Sequence, residues 1–286
     1  MRAILILSLT MIFFGSELFA GGHSSTLQDV KARGKLRCVV TTGLPGFAAP
    51  DANGVWRGFD WDFCRATAAA VLGDANAVDP ITSTGKTRFT KLNAGEGDVL
   101  WRNTTITFSR DVSVKLRFLG VNYYDGQGFM VNKSLGVSSA KELDGASVCI
   151  QTGTTTELNL ADFFSSNNMS YEAVTIETND EARQNYEAGR CDIYTTDASG
   201  LASTRSSLPN PNDHMVLPEI ISKEPLGPAV RQGDDAWADI ITWVLAATIT
   251  AEELGVNSSN VDQMRNSNNP EIRRMLGTDG SQGAEL

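Results

Sequence analysis

The chain has 286 residues, enough for two domains of ordinary size, and its 41% hydrophobic and 20% charged residues are typical of a soluble globular protein. Its formal net charge of −10 argues against nucleic acid as a partner, because affinity for a phosphate backbone rests on clustered lysine and arginine. The acidic balance otherwise indicates little more than good solubility.

Residues 1–22 have the pattern of a secretory signal peptide. Arg2 precedes a short apolar stretch, Ala3 to Phe14, and small residues follow. Cleavage after Gly22 fits the small-x-small rule, because Ala20 then stands three residues before the cut. A retained membrane anchor would need a longer apolar span. We therefore expect the mature chain to be exported.

Helices and strands alternate along the first part of the mature chain. We predict a helix, a strand, a turn-rich loop and two further helices over residues 26–33, 35–41, 44–54, 60–72 and 88–94. Gly34 and Gly73 follow the first two of these helices, where a helix commonly ends. This alternation predicts an α/β fold with a mainly parallel sheet.

The second part of the chain restarts the alternation between two crossover segments. The segment YYDGQGFM, residues 123–130, predicts the first crossover, and the proline-rich residues 218–228 predict the return. Between them we predict a strand, a loop that enters a helix, and a further helix, over residues 147–151, 152–157 and 181–188. A core helix over 237–251 and a short helix capped by Asn269 and begun by Pro270 follow.

One short unit occurs twice, as LNAGEGDVL from Leu92 to Leu100 and as YEAGRCDIY from Tyr186 to Tyr194. In each copy a helix stops at Ala-Gly, two residues pass, and an aspartate opens an apolar run that suits a buried strand. Gly95 and Gly189 suit the left-handed position just past a helix end. The first strand leads to arginines and the second to Asp197, so the two copies offer opposite charges that would hold a zwitterion.

The residues at these strand ends are candidates for binding a small charged ligand. Arg110 can grip a carboxylate through two parallel hydrogen bonds, although a lone arginine in a loop is as often a surface residue. Asp197 can receive an ammonium group, although aspartate after a strand often only caps a turn or helix. The segment TGTTTE, residues 152–157, enters a helix whose first N–H groups can bind an anion, and Glu157 also fits a capping box there.

Motifs of enzymes are scarce in this sequence. The only histidines are His23, beside the cleavage region, and His214, in a turn, so a Ser-His-Asp arrangement has one candidate base at most. No GxSxG, Walker, GxGxxG or HExxH pattern is present.

Four cysteines remain after cleavage, an even number that suits disulfide bonds in an oxidising compartment: Cys38, Cys64, Cys149 and Cys191. Three pairings are possible, and spacing alone does not choose among them. If the repeated units mark two lobes, the simplest pairing joins Cys38 to Cys64 and Cys149 to Cys191. A metal site lacks the support of a CxxC pair or clustered histidines, and free core thiols are the other alternative.

Six segments together resemble the general L-amino-acid-binding periplasmic proteins, which are solute-binding proteins of polar-amino-acid ABC transporters: GFDWDFCRATAAAV, DVLWRNTTITFSRD, YYDGQGFMV, CIQTGTTTELNLADFF, AGRCDIYTTDASGLA and EIISKEPLGPAVRQGDDAW. The resemblance covers nearly the whole mature chain from Thr26. It implies a type 2 periplasmic binding fold, with two lobes joined by two crossover strands, each lobe a mostly parallel sheet flanked by helices. Lobe 1 would comprise residues 23–126 and 227–286, and lobe 2 residues 127–226.

The resemblance also implies what the protein does and where. A monomer in the periplasm would capture a free L-amino acid by hinge closure and deliver it to the membrane permease of an ABC transporter, with broad specificity and without cofactor or metal. Members of the family usually continue past the point where this chain ends, so the resemblance leads us to expect further C-terminal structure in lobe 1.

By motif position, the resemblance assigns roles to single residues. Arg110 would hold the α-carboxylate, helped by Thr105 and by backbone donors at Thr154 and Thr155. Asp197 would take the α-ammonium group.

Four further residues receive roles from the same resemblance. Asn103 would assist Asp197. Leu44 and Phe47 occupy the loop that packs an aromatic ring on the ligand in related proteins, although the aromatic has shifted along the loop here. Arg88 lies where related proteins approach the ligand side chain, and it would read acidic or amide groups or else lie on a solvated helix face.

Two other functions fit the same fold. An enzyme such as an amino-acid dehydratase would use threonine or aspartate as acid or base, although the motifs contain no positioned histidine or glutamate for that role. A ligand-sensing subunit of a receptor would need the same binding residues as a transport protein.

Overall fold

The computed structural model describes residues 25–280 of the chain. The predicted signal peptide, residues 1–22, lies outside the described residues. The helices α1 to α10 span Thr26–Arg33, Phe59–Leu72, Arg88–Asn93, Phe108–Val112, Thr155–Ser166, Asn179–Glu187, Ala198–Ser206, Asp235–Glu253, Val261–Met264 and Pro270–Met275. The strands β1 to β14 span Leu36–Thr41, Ala49–Pro50, Trp56–Arg57, Val78–Ser83, Val99–Leu100, Leu116–Phe118, Tyr123–Asp125, Gln127–Asn132, Ala146–Gln151, Tyr171–Ile176, Ile193–Asp197, His214–Val216, Glu224–Leu226 and Ala229–Arg231.

The strands form two five-stranded sheets of matching design. The first sheet has the order β4-β1-β5-β14-β6 and the second the order β10-β9-β11-β8-β12. In each, the first three strands run parallel, the fourth is antiparallel to its neighbours, and the fifth returns to the common direction. The predicted α/β fold with two mostly parallel sheets is therefore confirmed.

The two segments predicted as crossovers do connect the sheets. Strand β7 leaves the first sheet and continues at once into β8 of the second, and β13 returns toward β14 of the first. Strands β7 and β13 pair with each other in an antiparallel ribbon, with Glu224 opposite Asp125 and Leu226 opposite Tyr123. The two lobes are thus joined by a narrow, two-stranded connection, which permits one sheet to rotate against the other.

Helix ends lie close to where the sequence predicts them. Helix α1 ends before Gly34 and α2 before Gly73, and both glycines have a left-handed backbone with φ of 67° and 72°. Helix α10 begins with Pro270, and the side chain of Asn269 accepts a hydrogen bond from the backbone of Glu271. Helix α6 begins two residues before the prediction because a capping box, formed with Thr178, starts it there.

Each sheet has its own hydrophobic core and its own disulfide. The core of the first sheet packs α2 and α8 against β1 and β5, with Trp101 and Trp237 fully buried. The bridge Cys38–Cys64 ties β1 to α2, and Cys149–Cys191 ties β9 to the segment before β11. The pairing within each lobe is therefore confirmed.

Within residues 25–280, none of the helices combines the length and the apolar character that a membrane crossing needs.

The aspartates of the two repeated units make the same pair of contacts in the two sheets. The carboxylate of Asp98 accepts the backbone N–H of Arg37 in β1 at 2.7 Å, while its own N–H donates to the carbonyl of Arg37 at 2.8 Å. Asp192 does the same with Ser147 in β9, at 3.0 and 2.9 Å. Each aspartate therefore fixes the start of a site-bearing strand against the strand beside it.

This role predicts unequal losses of stability for the two aspartates. Asp98 is buried and also pairs with Arg33, so Asp98→Ala should lower the free energy of unfolding by about 3 kcal/mol. Asp192 is exposed, and Asp192→Ala should lower it by about 1 kcal/mol. Urea unfolding with both disulfides intact measures this. The control Asp79→Ala removes a half-exposed ion pair with Lys35 and should change little; a loss for Asp98→Ala no larger than the control's would contradict the role.

Candidate functional site

The segment after β5 is held in place by a buried tryptophan. The Trp101 ring stacks on Phe63 with centroids 4.4 Å apart, and its Nε1 donates to Thr67 Oγ1 at 3.0 Å. Both partners lie on α2. This anchoring fixes the backbone of the next residues, so Arg102 and Asn103 project from a rigid strand end.

Two of the arginines in this region share one aromatic ring. The guanidinium carbons of Arg88, on α3, and Arg110, on α4, lie 4.7 and 5.3 Å from the centroid of Phe89. Arg88 Nη1 donates to Thr104 Oγ1 at 3.2 Å, and Arg110 Nη1 donates to the carbonyl of Thr105 at 2.7 Å. The arginines are therefore positioned by ring and backbone contacts on the first sheet.

Asp197 lies at the carboxyl end of β11 in the second sheet, where α7 begins. Its side chain is 6% exposed and makes no capping hydrogen bond to α7. The structure therefore places a buried carboxyl group at a strand end without using it as a helix cap.

The segment between β9 and α5 brings threonines to the same place. Thr154 is the N-cap of α5, and its hydroxyl accepts the backbone N–H of Glu157 at 3.3 Å. The carboxylate of Glu157 accepts the backbone N–H of Gly153 at 3.0 Å, one residue before the position that a capping box uses. These two capping bonds therefore do not use the backbone N–H groups of Thr154 and Thr155.

Glu224, on the return crossover, joins the two lobes at the site. Its Oε2 accepts from the hydroxyls of Thr105 at 2.5 Å and Thr155 at 2.8 Å. Its Oε1 accepts from Asn159 Nδ2 at 2.7 Å and Ser222 Oγ at 2.6 Å. These donors come from the first lobe, from helix α5 of the second lobe and from the crossover, so this buried carboxylate links all three.

Six of the nine sequence-predicted binding residues line one polar cavity of about 20 Å³: Arg88, Asn103, Thr105, Thr154, Thr155 and Asp197. Four further residues complete the lining, namely Arg102, Gln151, Thr156 and Thr196. Arg110 lies beside the cavity through its bond to Thr105. The space holds about one water molecule, so the lobes have to open for a ligand the size of an amino acid to enter.

Leu44 and Phe47 lie elsewhere in the structure. They form a small apolar cluster with Leu226, and the Phe47 ring contacts Tyr123 edge-on at 5.8 Å. Phe47 lines a separate, open cavity of about 390 Å³ between the loop and helix α7. Neither residue is among those that line the polar cavity.

Burial dominates the electrostatics of the site. It raises the pKa of Asp197 to about 7; the neighbouring carboxyls of Asp125 and Glu224 add to the rise, and Arg88 and Arg102 oppose it. Burial also lowers the pKa of Arg102 and Arg110 to about 10, so both remain charged at neutral pH. The site therefore carries strong charges of both signs in a place that little water reaches.

The carboxyl group of Asp60, on α2, lies behind Arg102. Burial raises the pKa of Asp60 to about 7, against the opposing effects of Arg102 and of a hydrogen bond from the backbone of Asn103. For Arg88, burial together with repulsion from Arg102 and Arg110 holds the pKa well below its ordinary value. Mutual repulsion of the three arginines thus adds to the free-energy cost of burying these charges at the site.

The sequence indicates Arg102 as part of the positive charge that follows the first repeated strand but gives it no binding role of its own, and it indicates no role for Glu224. Arg102 is the first charged residue after an apolar strand. Asp197 was identified from the same signal, so the sequence alone was sufficient to identify Arg102 as a candidate. Glu224 lies in a segment predicted as a crossover, and a buried charge on a crossover can face both lobes. Only the closed arrangement shows that it does so.

The lobes touch around the site. Asn179 Nδ2 of the second lobe donates to Thr41 Oγ1 of the first at 3.1 Å, and Ser203 Oγ donates to the carbonyl of Pro45 at 2.6 Å. Gly85 and Gly153 allow the closest approach, because a Cβ atom on Gly85 would lie 2.9 Å from Thr154 Cγ2. The structure is therefore a closed form.

Several known proteins are similar to this chain in sequence or in structure. The family model for bacterial extracellular solute-binding proteins, family 3, matches residues 36–257. The chain is 61% identical to the glutamate/glutamine/aspartate/asparagine-binding protein BztA of Rhodobacter capsulatus, over 96% of this chain and 83% of that protein. It is 57% identical to the general L-amino acid-binding periplasmic protein AapJ of Rhizobium johnstonii, over 95% and 82%. A solved ABC transporter periplasmic binding protein from Brucella ovis with glutathione bound is 54% identical, with a TM-score of 0.87 over 91% of this chain and 81% of that one.

The raised pKa values of Asp60 and Asp197 predict how stability depends on pH. With a pKa of about 7, each group binds about half a proton near pH 7 in the folded protein and almost none in the unfolded chain, where aspartate has a pKa of about 3.9. The folded state therefore binds more protons, and the free energy of unfolding falls as pH rises. From pH 6 to pH 8 we expect a loss of about 1 kcal/mol per group in the ligand-free protein.

Urea unfolding at pH 6, 7 and 8 measures this dependence. The double variant Asp60→Asn with Asp197→Asn keeps the shapes and removes both titrations, so its profile should be flatter than that of the wild type. Parallel profiles would show that other groups cause the dependence.

Proposed function

The chain belongs to the bacterial extracellular solute-binding proteins of family 3, and we propose that it captures free L-amino acids in the periplasm and delivers them to the membrane permease of an ABC transporter. One observation carries this proposal. The two lobes bring buried charges of opposite sign, Arg110 and Asp197, to one site that closure shields from water. A free amino acid carries the matching pair of charges on its main chain.

We assign the α-carboxylate to Arg110, with help from Thr105 and from the N–H groups of Thr154 and Thr155 at the start of α5. The α-ammonium group binds to Asp197, beside Asn103. These contacts use only main-chain atoms of the ligand and therefore apply to every L-amino acid. Broad specificity follows, and the names of the two curated relatives, one for four amino acids and one for L-amino acids in general, support it.

The remaining assignments belong to the same proposal. Residues 1–22 direct export, residues 23–126 and 227–286 form lobe 1, and residues 127–226 form lobe 2. The protein acts as a monomer and as a binding protein without catalytic activity; both curated relatives above are named as binding proteins, which supports the second point. Recovery of unchanged ligand after long incubation tests it.

Ligand capture proceeds by hinge closure about the ribbon of β7 and β13. The ligand meets Arg110 in the first lobe and Asp197 in the second, so it makes its full set of contacts only when the lobes close. A ligand with higher affinity for the closed form shifts the population toward that form. The closed form is then the one that the permease recognises.

Arg110→Ala tests the main-chain assignment. The variant loses a charged, two-pronged contact with the α-carboxylate, so binding of every amino acid should weaken at least about 100-fold. Isothermal titration with a panel of free L-amino acids measures this. Arg57→Ala is the matched control, because Arg57 is exposed and forms its ion pair with Asp51, away from the polar cavity. Normal binding by Arg110→Ala would overturn the assignment.

Gly85→Ala tests hinge closure. The added methyl group would meet Thr154 Cγ2 at 2.9 Å and the carbonyl of Thr152 at 3.0 Å, both on the opposite lobe, so full closure is blocked. We expect about tenfold weaker binding for all amino acids, because the ligand makes its full set of contacts only in a closed form that this clash disfavours. Small-angle scattering should show a larger radius of gyration with ligand than the wild type has. Wild-type affinity would argue against closure through this contact.

A further inference from the structure

The backbone that follows Glu224 is attached to the first lobe. The N–H of Ile106 donates to the carbonyl of Pro225 at 2.8 Å, and the N–H of Gly227 donates to the carbonyl of Thr104 at 3.1 Å. Both partners of the crossover lie on the segment after β5, in the first lobe. If the lobes separate, the backbone next to Glu224 therefore stays with the first lobe.

The side chain of Glu224 instead reaches helix α5 of the second lobe. Its two oxygens accept from Thr155 Oγ1 at 2.8 Å and from Asn159 Nδ2 at 2.7 Å. Thr155 is the first residue of α5 and Asn159 lies four residues on, so both lie on the same face of the helix. Glu224 is 2% exposed, and its charge lies near the amino end of α5, where a helix favours an anion. These two bonds break when the lobes separate.

These bonds between the lobes include no atom of a ligand. Neither Glu224 nor Asn159 is among the residues that line the polar cavity. Thr105 and Thr155 do line it, and their hydroxyls also donate to Glu224. A ligand in the cavity therefore lies beside the threonines without occupying the position of Glu224, and the bonds to α5 persist when the ligand is bound.

We propose that Glu224 is a positioning residue for ligand capture: its bonds to α5 keep a substantial fraction of the ligand-free molecules closed and so strengthen the binding of every ligand by the same factor. Apparent affinity is proportional to the fraction of molecules in the binding-competent form. Because the bonds contain no ligand atom, the factor does not depend on the side chain of the ligand. The effect on affinity rests on the proposed function, whereas the effect on the ligand-free protein does not.

The charge of Glu224 has a second effect that a test has to separate from the first. Among the neighbouring carboxylates, that of Glu224 acts most strongly on Arg110. A negative charge near Arg110 also repels the carboxylate of a ligand. Removal of this charge therefore has two opposing effects on affinity. Asn159 is neutral and lies outside the cavity lining, so its removal weakens the connection between the lobes without changing the charge near Arg110.

The variant Asn159→Ala is the direct test. Alanine suits a helix, and Glu224 keeps its three other donors, so the variant should fold. Without ligand, small-angle scattering should give a larger radius of gyration than for the wild type, and saturating L-alanine should remove the difference. Isothermal titration should show about tenfold weaker binding of L-glutamate, L-alanine and L-lysine alike.

Asn185→Ala is the matched control for this variant. Asn185 lies on α6, and its side chain bonds to Glu181 and Arg190, both in the second lobe. Its removal takes away amide hydrogen bonds of the same kind without affecting the contact between the lobes. Scattering and affinities should match those of the wild type.

Glu224→Gln tests the same role from the other partner. The variant keeps the shape of the side chain, but its NH₂ group cannot accept from Asn159 as the carboxylate does. The ligand-free protein should therefore open as in Asn159→Ala. Glu219→Gln is the control, because Glu219 accepts only from Ser139 and Ala140 among its printed distances of 2.5 and 3.0 Å, both within the second lobe. Its ligand-free scattering should be that of the wild type.

The scattering and the titration can contradict the proposal independently. The proposed role of Glu224 is overturned if ligand-free Asn159→Ala scatters as the wild type does, or if this variant weakens the binding of one ligand alone. Should Asn159→Ala not fold, the scattering of ligand-free Glu224→Gln decides in the same way. A wild type that binds no free amino acid, together with a variant that opens as expected, would refute the proposed function and leave the role of Glu224 in closure supported.

Discussion

Three guanidinium groups and three carboxyl groups lie buried around one small cavity, and their charges have to balance because little water reaches them. The balance is incomplete in the ligand-free protein. Burial lowers the pKa of Arg88, Arg102 and Arg110 and raises that of Asp60 and Asp197, so the neutral forms gain ground. Such a cluster contributes little to stability. It is well suited to binding, because a ligand that carries both charges supplies partners for the buried groups.

The fold brings these charges together from two sides. Two sheets of matching topology each end a buried strand at the site, one strand leading to Arg102 and the other to Asp197. Asp98 and Asp192 fix those strands through the same pair of contacts in each sheet. The repeated unit of the sequence is thus a repeated structural device, and its two copies deliver opposite charges at their strand ends.

Much of the fold was predictable from the sequence because it depends on local rules. Glycines at helix ends, the cap at Asn269 and the apolar strands after the repeated units fix their elements without reference to distant residues. The disulfide pairing followed from the assumption of two lobes. The role of Glu224 depends instead on donors from three separate parts of the fold, and no local pattern encodes them. Likewise, Arg102 Nε lacks a hydrogen-bond partner among residues 25–280 because of the closed cavity and not because of the residue type.

The closed form carries a cost that explains how a ligand controls closure. Bringing the lobes together removes water from arginines that repel one another and from carboxyls that resist ionisation. Glu224 offsets part of this cost through its four hydrogen bonds, which join the lobes without any ligand. In the binding mode proposed above, a zwitterion adds a carboxylate beside the arginines and an ammonium group beside Asp197, and so relieves the desolvation of both signs at once. In the same proposal the open form offers no such gain, because its charged groups remain hydrated. The resulting difference in binding free energy would shift the population toward closure.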